Sequence, residues 1–137
     1  MPARKSGTLI TGTAGENLSR LFSFEDRASA WNQLVFVVAN SSAAQPRFEE
    51  QALDTFAVLD KHLQDAGSNR TRILSAQVLL RDIHDKPAFD ELWLKWIGTD
   101  PAAWPQRSCC QVGLSGSLLI EIVAVAVREE TDRPSVT

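Results

Sequence analysis

The chain has 137 residues, close to the usual size of one domain, so there is no room for a second core. Its 44% hydrophobic and 23% charged residues exclude a disordered, fibrous or disulfide-stapled protein. With 14 basic and 17 acidic residues the net charge is -3, which speaks against a nucleic-acid surface, because phosphate binding leans on clustered Lys and Arg. No apolar run reaches the roughly 18 residues that cross a bilayer. The opening MPARKSGTLITGTAGEN has no apolar stretch of signal-peptide length, and the expectation is a cytoplasmic protein.

In chain order, residues 1 to about 17 are rich in Gly, Thr and small polar residues and are expected outside the core, as is the tail 129–137. The core is expected over about 18–128, with room for an extra strand near residues 18–24. The run LVFVV at 34–38 is short, apolar and β-branched, and predicts a strand. After a break ending at Pro46, apolar residues at Phe48, Ala52, Leu53, Phe56, Leu59, Leu63 and Ala66 follow helical spacing, and Gly67 ends the helix. A second strand is expected over 72–81, with Leu74, Ala76, Val78 and Leu80 on one face. Asp85-Lys86-Pro87 opens a second helix whose Phe89, Leu92, Trp93, Trp96 and Ile97 form an apolar stripe, terminated by Gly98. Two further strands are expected over 108–112 and 118–127, joined by a tight turn through Gly113, Ser115, Gly116 and Ser117. The string β-α-β-α-β-β predicts a single α+β domain with two helices packed on one face of a sheet.

The last strand is apolar on both faces, so its second face is expected to meet something, such as another subunit. Glu121 is the lone charge in that run. Two readings stand: a sheet-edge carboxylate reaching solvent, or a carboxylate held wet in a cleft for chemistry. If the turn before it is a hairpin, Arg107 lies near Glu121 on a paired strand. That pair is either a plain ion pair or a carboxylate anchor beside a water-orienting base. Trp93 and Trp96 are expected in the core, and Trp104 either walls a pocket or packs at an interface. Cys109 and Cys110 are neighbours that a strand points to opposite faces, and two unbridged thiols fit a reducing compartment. His62 and His84 lack further ligands at useful spacing and are expected to be solvated near element ends, with no metal site.

PQRSCCQVGL at 105–114 followed by LIEI at 119–122 resembles the C-terminal signature of the RidA (YjgF-type) imine deaminase family: Pro-x-Arg-Ser-Cys, a spacer, then Ile-Glu-Ile. LQDAGSNRTRI at 63–73 and DKPAFDELW at 85–93 sit where that family has its helix end and second helix. The resemblance covers about residues 34–127 and is nearest the short YoaB-like branch. It implies a chorismate-mutase-like α+β fold, a homotrimer with clefts between subunits, and hydrolysis of 2-imino acids of the 2-iminobutanoate and 2-iminopropanoate type to 2-keto acids and ammonia. No cofactor or metal and no nucleic-acid or membrane partner is implied. On the matching positions, Arg107 would grip the substrate carboxylate and Glu121 would position the attacking water. The carbonyl of Cys109 would face the imine nitrogen, and its sulfur would not be a nucleophile.

Departures from the family pattern bear on substrate preference. Asp90 stands where members often carry an Asn at the substrate, Cys110 replaces an aliphatic residue, and the chain has no Tyr, Phe22 or Phe24 falling near the usual position. The alternatives are a pathway-specific deaminase of aminomuconate-like enamines and a non-catalytic trimer that binds small carboxylates as a regulatory protein.

Overall fold

The computed structural model describes residues 9–11, 27–31, 33–41 and 46–128. Strands β1 (Leu9–Thr11), β2 (Arg27–Trp31) and β3 (Leu34–Asn40) precede helix α1 (Phe48–Asp65). Then follow β4 (Ile73–Leu80), α2 (Lys86–Ile97), β5 (Gln106–Gln111) and β6 (Ile120–Val127). The six strands form one sheet in the order β1-β2-β3-β6-β4-β5. The β1/β2 and β4/β5 pairs are parallel and the others antiparallel. Among the described residues the architecture is therefore α+β, with α1 and α2 against the sheet. No helix among the described residues is long and apolar enough to cross a membrane.

Alternation of apolar residues builds the core as the sequence predicts. Val35, Val37 and Ala39 of β3, Ala76, Val78 and Leu80 of β4, and Ile120, Ile122, Ala124 and Ala126 of β6 are buried together beneath Phe56, Leu59, Leu63 and Phe89 of the helices. The rings of Phe56 and Trp96 stack at 4.9 Å across the two helices, and Trp93 lies in the same aromatic cluster. Arg70 donates from Nη2 to Asp60 Oδ2 and from Nη1 to the Trp96 carbonyl, tying the end of α2 to α1. Gly67 and Gly98 take positive φ of 81° and 95° just past the two helices, where a side chain would be strained.

Several expectations are corrected. Strand β1 lies in the N-terminal stretch expected outside the core, and β2 is a strand that the pattern missed; residues 18–24 lie outside those described. A register shift between Ile73 and Ser75 breaks strict alternation in β4, so Ile73 is buried and Leu74 is turned out, 52% exposed. Gln51, Thr55 and His62 of α1 are also buried, and His62, expected in solvent, is 1% exposed; His84 is exposed as expected. The largest correction is topological. β5 and β6 are not a hairpin, because β4 lies between them, and residues 112–119 cross over it.

Candidate functional site

Register decides where the chemistry-bearing residues point. Arg107 pairs with Ala76 of β4, whose side chain is buried beneath the helices, so Arg107 projects on the helix side of the sheet. There it meets α2. Arg107 Nη2 donates to Asp90 Oδ1 at 2.7 Å, and Lys86 Nζ, one turn before Asp90, donates to Oδ2 at 2.8 Å. The guanidinium carbon sits 5.5 Å from the Phe89 ring centroid and 5.4 Å from that of Trp93. Burial pushes the Asp90 carboxyl up, but hydrogen bonds and charge from Lys86 and Arg107 outweigh it and hold it below its ordinary value. The carboxylate therefore stays charged at neutral pH, and the ion-pair triad contributes stability that is lost only as the pH falls through that depressed value. The guanidinium lines a concavity of about 310 Å³ with Asp90, Trp93, Leu94, Trp104 and Pro105.

Glu121 lies elsewhere. It pairs with Asn40 on one side and Leu79 on the other, on the sheet face away from the helices. Asn40 Nδ2 donates to Glu121 Oε1 at 3.3 Å. Glu121 lines its own concavity of about 550 Å³ with Leu79, Leu118 and the crossover residues Val112, Gly113, Leu114 and Ser115. That crossover is clamped from two sides. Arg81 donates from Nε to the Leu118 carbonyl at 2.7 Å and from Nη2 to the carbonyls of Leu114 and Gly116 at 2.8 Å. The buried Gln51 side-chain amide bonds Ser117 and Leu119 from α1.

Within one chain, then, Arg107 and Glu121 are not the neighbours that a hairpin would make them. Two strand spacings and three residues along β4 separate their Cα atoms by roughly 14 Å, and their side chains leave opposite faces of the sheet. Of the four residues singled out from sequence, Arg107 and Asp90 meet, Cys109 lies two residues from Arg107 on the same face, and Glu121 stands apart.

Cys109 and Cys110 diverge as adjacent strand residues must: Cys109 packs against the core and Cys110 is exposed. The Val112 N–H donates to the Leu80 carbonyl. Counting back by alternation, the main-chain groups of Cys109 face away from β4, along the outer edge of β5 among the described residues. Burial pushes the Cys109 thiol up, and the nearby Arg107 and Lys86 only partly oppose it. A thiol held protonated at neutral pH is a poor nucleophile. On the imine hydrolysis that the signature resemblance implies, Cys109→Ala and Cys110→Ala are each expected to keep turnover within about tenfold, the loss reflecting packing of order 1 kcal/mol. Steady-state kinetics with mass spectrometry of quenched enzyme check this; a substrate adduct on either sulfur would contradict it.

The residues that sequence reading missed are Asn40, Lys86, Arg81 and Gln51. The Lys86 and Asp90 spacing of four on a helix is a legible signal. Asn40 is a polar residue closing an apolar run, but its meeting with Glu121 depends on which strand lies beside β3. Nothing local marks Arg81 or Gln51, whose partners lie more than 30 residues away.

Residues 30–128 match the family model described as Endoribonuclease L-PSP. A RutC family protein of Haemophilus influenzae is 32% identical over 78 residues, covering 56% of this chain and 66% of that protein. RutC family protein YoaB of Escherichia coli is 36% identical over 78 residues, covering 56% of this chain and 67% of that protein. The match thus spans about two thirds of these relatives' own length. Among solved structures, a YjgF protein family member from Neisseria meningitidis superposes with a TM-score of 0.69 at 27% identity, covering 75% of this chain and 86% of that one. Yeast Mmf1 superposes with a TM-score of 0.70 at 21% identity, covering 91% and 96%, a likeness of fold alone.

Proposed function

The chain belongs to the YjgF/RidA family, the family described as Endoribonuclease L-PSP, and from that premise we propose that it hydrolyses 2-imino acids to 2-keto acids and ammonia. The observation that carries the reading is the Arg107 guanidinium, held by Asp90 and the Phe89 and Trp93 rings at an open concavity. A planar fork fixed in this way suits a carboxylate. The outer-edge carbonyl of Cys109 is the acceptor for the imine nitrogen. A protonated imine carbon is already electrophilic, so water attack needs orientation and charge complementarity and little else. Water adds to that carbon while Glu121 accepts its proton; Glu121 then returns that proton to the amine nitrogen, the C–N bond breaks, and the hydroxyl proton leaves with ammonia as the keto-acid carbonyl forms.

Because Arg107 and Glu121 leave opposite faces, one substrate meets both only between copies of the chain. The reading is therefore a homotrimer whose clefts join the Arg107 side of one subunit to the Glu121 side of the next. The apolar second face supports it: Phe36 is 41% exposed, and Val38, Val123 and Val125 are half-buried beside it. Sedimentation is expected to give a trimer at micromolar concentration, and a stable monomer would sink the proposal.

Asp90 lies beside the anchor and carries the charge a substrate carboxylate would meet. Asp90→Asn keeps an acceptor oxygen and removes that charge, so pyruvate is expected to bind about three- to tenfold tighter by calorimetry, a like-charge repulsion being relieved. Unchanged affinity would place the carboxylate away from Arg107.

The separation of Arg107 from Glu121 favours a second reading, a trimer that binds small carboxylates without turning them over. Ammonia release from imines made in situ from a panel of amino acids separates the two. RNA cleavage, the activity in the family model's description, is less supported, since a net charge of -3 supplies no basic excess for a phosphate backbone.

A further inference from the structure

We propose that the Arg107 concavity selects 2-imino acids with a bulky apolar or aromatic side chain over the small 2-iminopropanoate type; this rests on the deaminase reading and names its substrate class. The polarity of the concavity is divided. The Arg107 guanidinium and the Asp90 carboxylate supply the charge, while Trp93, Leu94, Trp104 and Pro105 make the rest of the lining.

Two of those side chains are poorly covered by the protein itself: Leu94 is 46% exposed and Trp104 is 43% exposed. Trp104 is nonetheless fixed. Its Nε1 donates to the Gly98 carbonyl at 2.8 Å, which satisfies the polar edge of the indole and leaves the apolar ring as wall. Leu94 stands one helical turn beyond Asp90, on the same stripe of α2 as the residue that holds Arg107. A molecule anchored by its carboxylate at Arg107 therefore has an apolar shelf within a side chain's length. At about 310 Å³ the open concavity has room for a side chain larger than that of a three-carbon imino acid. A leucine-, methionine- or phenylalanine-derived imine fills it and covers Leu94 and the Trp104 ring.

The test measures binding and turnover separately. Phenylpyruvate and pyruvate, the keto acids of the large and small substrates, are titrated by calorimetry against the wild type, Trp104→Ala, Trp104→Phe and Leu94→Ala. The expected result is phenylpyruvate binding at least tenfold tighter than pyruvate. That ratio should fall to about twofold in Trp104→Ala, fall partly in Leu94→Ala, and be largely kept in Trp104→Phe. In parallel, kcat/KM for the phenylalanine-derived imine is expected to fall about tenfold in Trp104→Ala, a several-fold larger loss than for the alanine-derived imine. Selective binding of phenylpyruvate without turnover of any imine would uphold the site and defeat the deaminase reading. Equal affinity of the two keto acids in the wild type would overturn the proposal, and so would a ratio unmoved in both Trp104→Ala and Leu94→Ala. A Trp104→Ala protein whose sedimentation changes while its ratio does not would make Trp104 a subunit contact and would overturn the proposal too.

Discussion

Arg107→Lys is expected to lower kcat/KM for imino acids by about 30- to 150-fold while leaving the protein folded and assembled. Lysine keeps the positive charge, so the loss isolates geometry. A guanidinium offers donors in one plane and binds a carboxylate at two points, whereas an ammonium is a point charge on a flexible stem. The fork of Arg107 is already oriented: Nη2 is engaged by Asp90 Oδ1 at 2.7 Å, and the plane is held near the Phe89 and Trp93 rings. A shorter-reaching lysine at this position would be drawn to Asp90, which already pairs with Lys86, and the orientation would be lost. The expected fold-loss corresponds to about 2–3 kcal/mol, the range of a charge-assisted hydrogen bond. Steady-state kinetics on a sedimentation-checked variant measure it. An unchanged kcat/KM would mean that the carboxylate anchor lies elsewhere.

Glu121→Gln is expected to cut kcat by about a hundredfold or more, in the range of general acid–base catalysis, with keto-acid affinity kept within about threefold. The substitution preserves the shape of the side chain and its hydrogen bond to Asn40 while removing the charge that, in the proposed reaction, accepts a proton from water. The split between the two parameters is what distinguishes the roles. The Arg107 fork keeps its Asp90 hydrogen bond and its ring contacts in this variant, so loss of the Glu121 charge should not loosen carboxylate binding. Lost affinity with normal turnover would make Glu121 a structural partner of the neighbouring subunit's anchor and not the base.

Both expectations depend on a point that the linear order of residues misrepresents. The thirteen residues between Arg107 and Glu121, with a Gly- and Ser-rich segment among them, look like a hairpin, and a hairpin would set the two side by side. The segment is instead a crossover over β4, stabilised by Arg81 and Gln51, whose bonds to it are formed only in the folded chain. The same non-local pairing explains Asn40 at Glu121. A small register shift in β4, again invisible in the residue pattern, exchanges Leu74 for Ile73 in the core.

What the residues alone determined is everything carried by short-range periodicity and by contiguous signature. The alternation of β3 and β6, the helical stripes over Phe48–Asp65 and Lys86–Ile97, and the glycine ends of both helices follow from side-chain spacing within one or two turns or pleats. The opposed cysteines are of the same kind. The family signature around Arg107 and Glu121 is contiguous too, and it was legible without any structure. Only the tertiary structure decided the strand order, and with it which face each signature residue takes. Strand neighbours are chosen by the total burial of the sheet beneath two helices, a sum over distant residues, and one strand inserted or one residue shifted reverses proximity or face while leaving every local pattern intact. That is why a single chain keeps Arg107 with Asp90 on the helix side and sends Glu121 to the other.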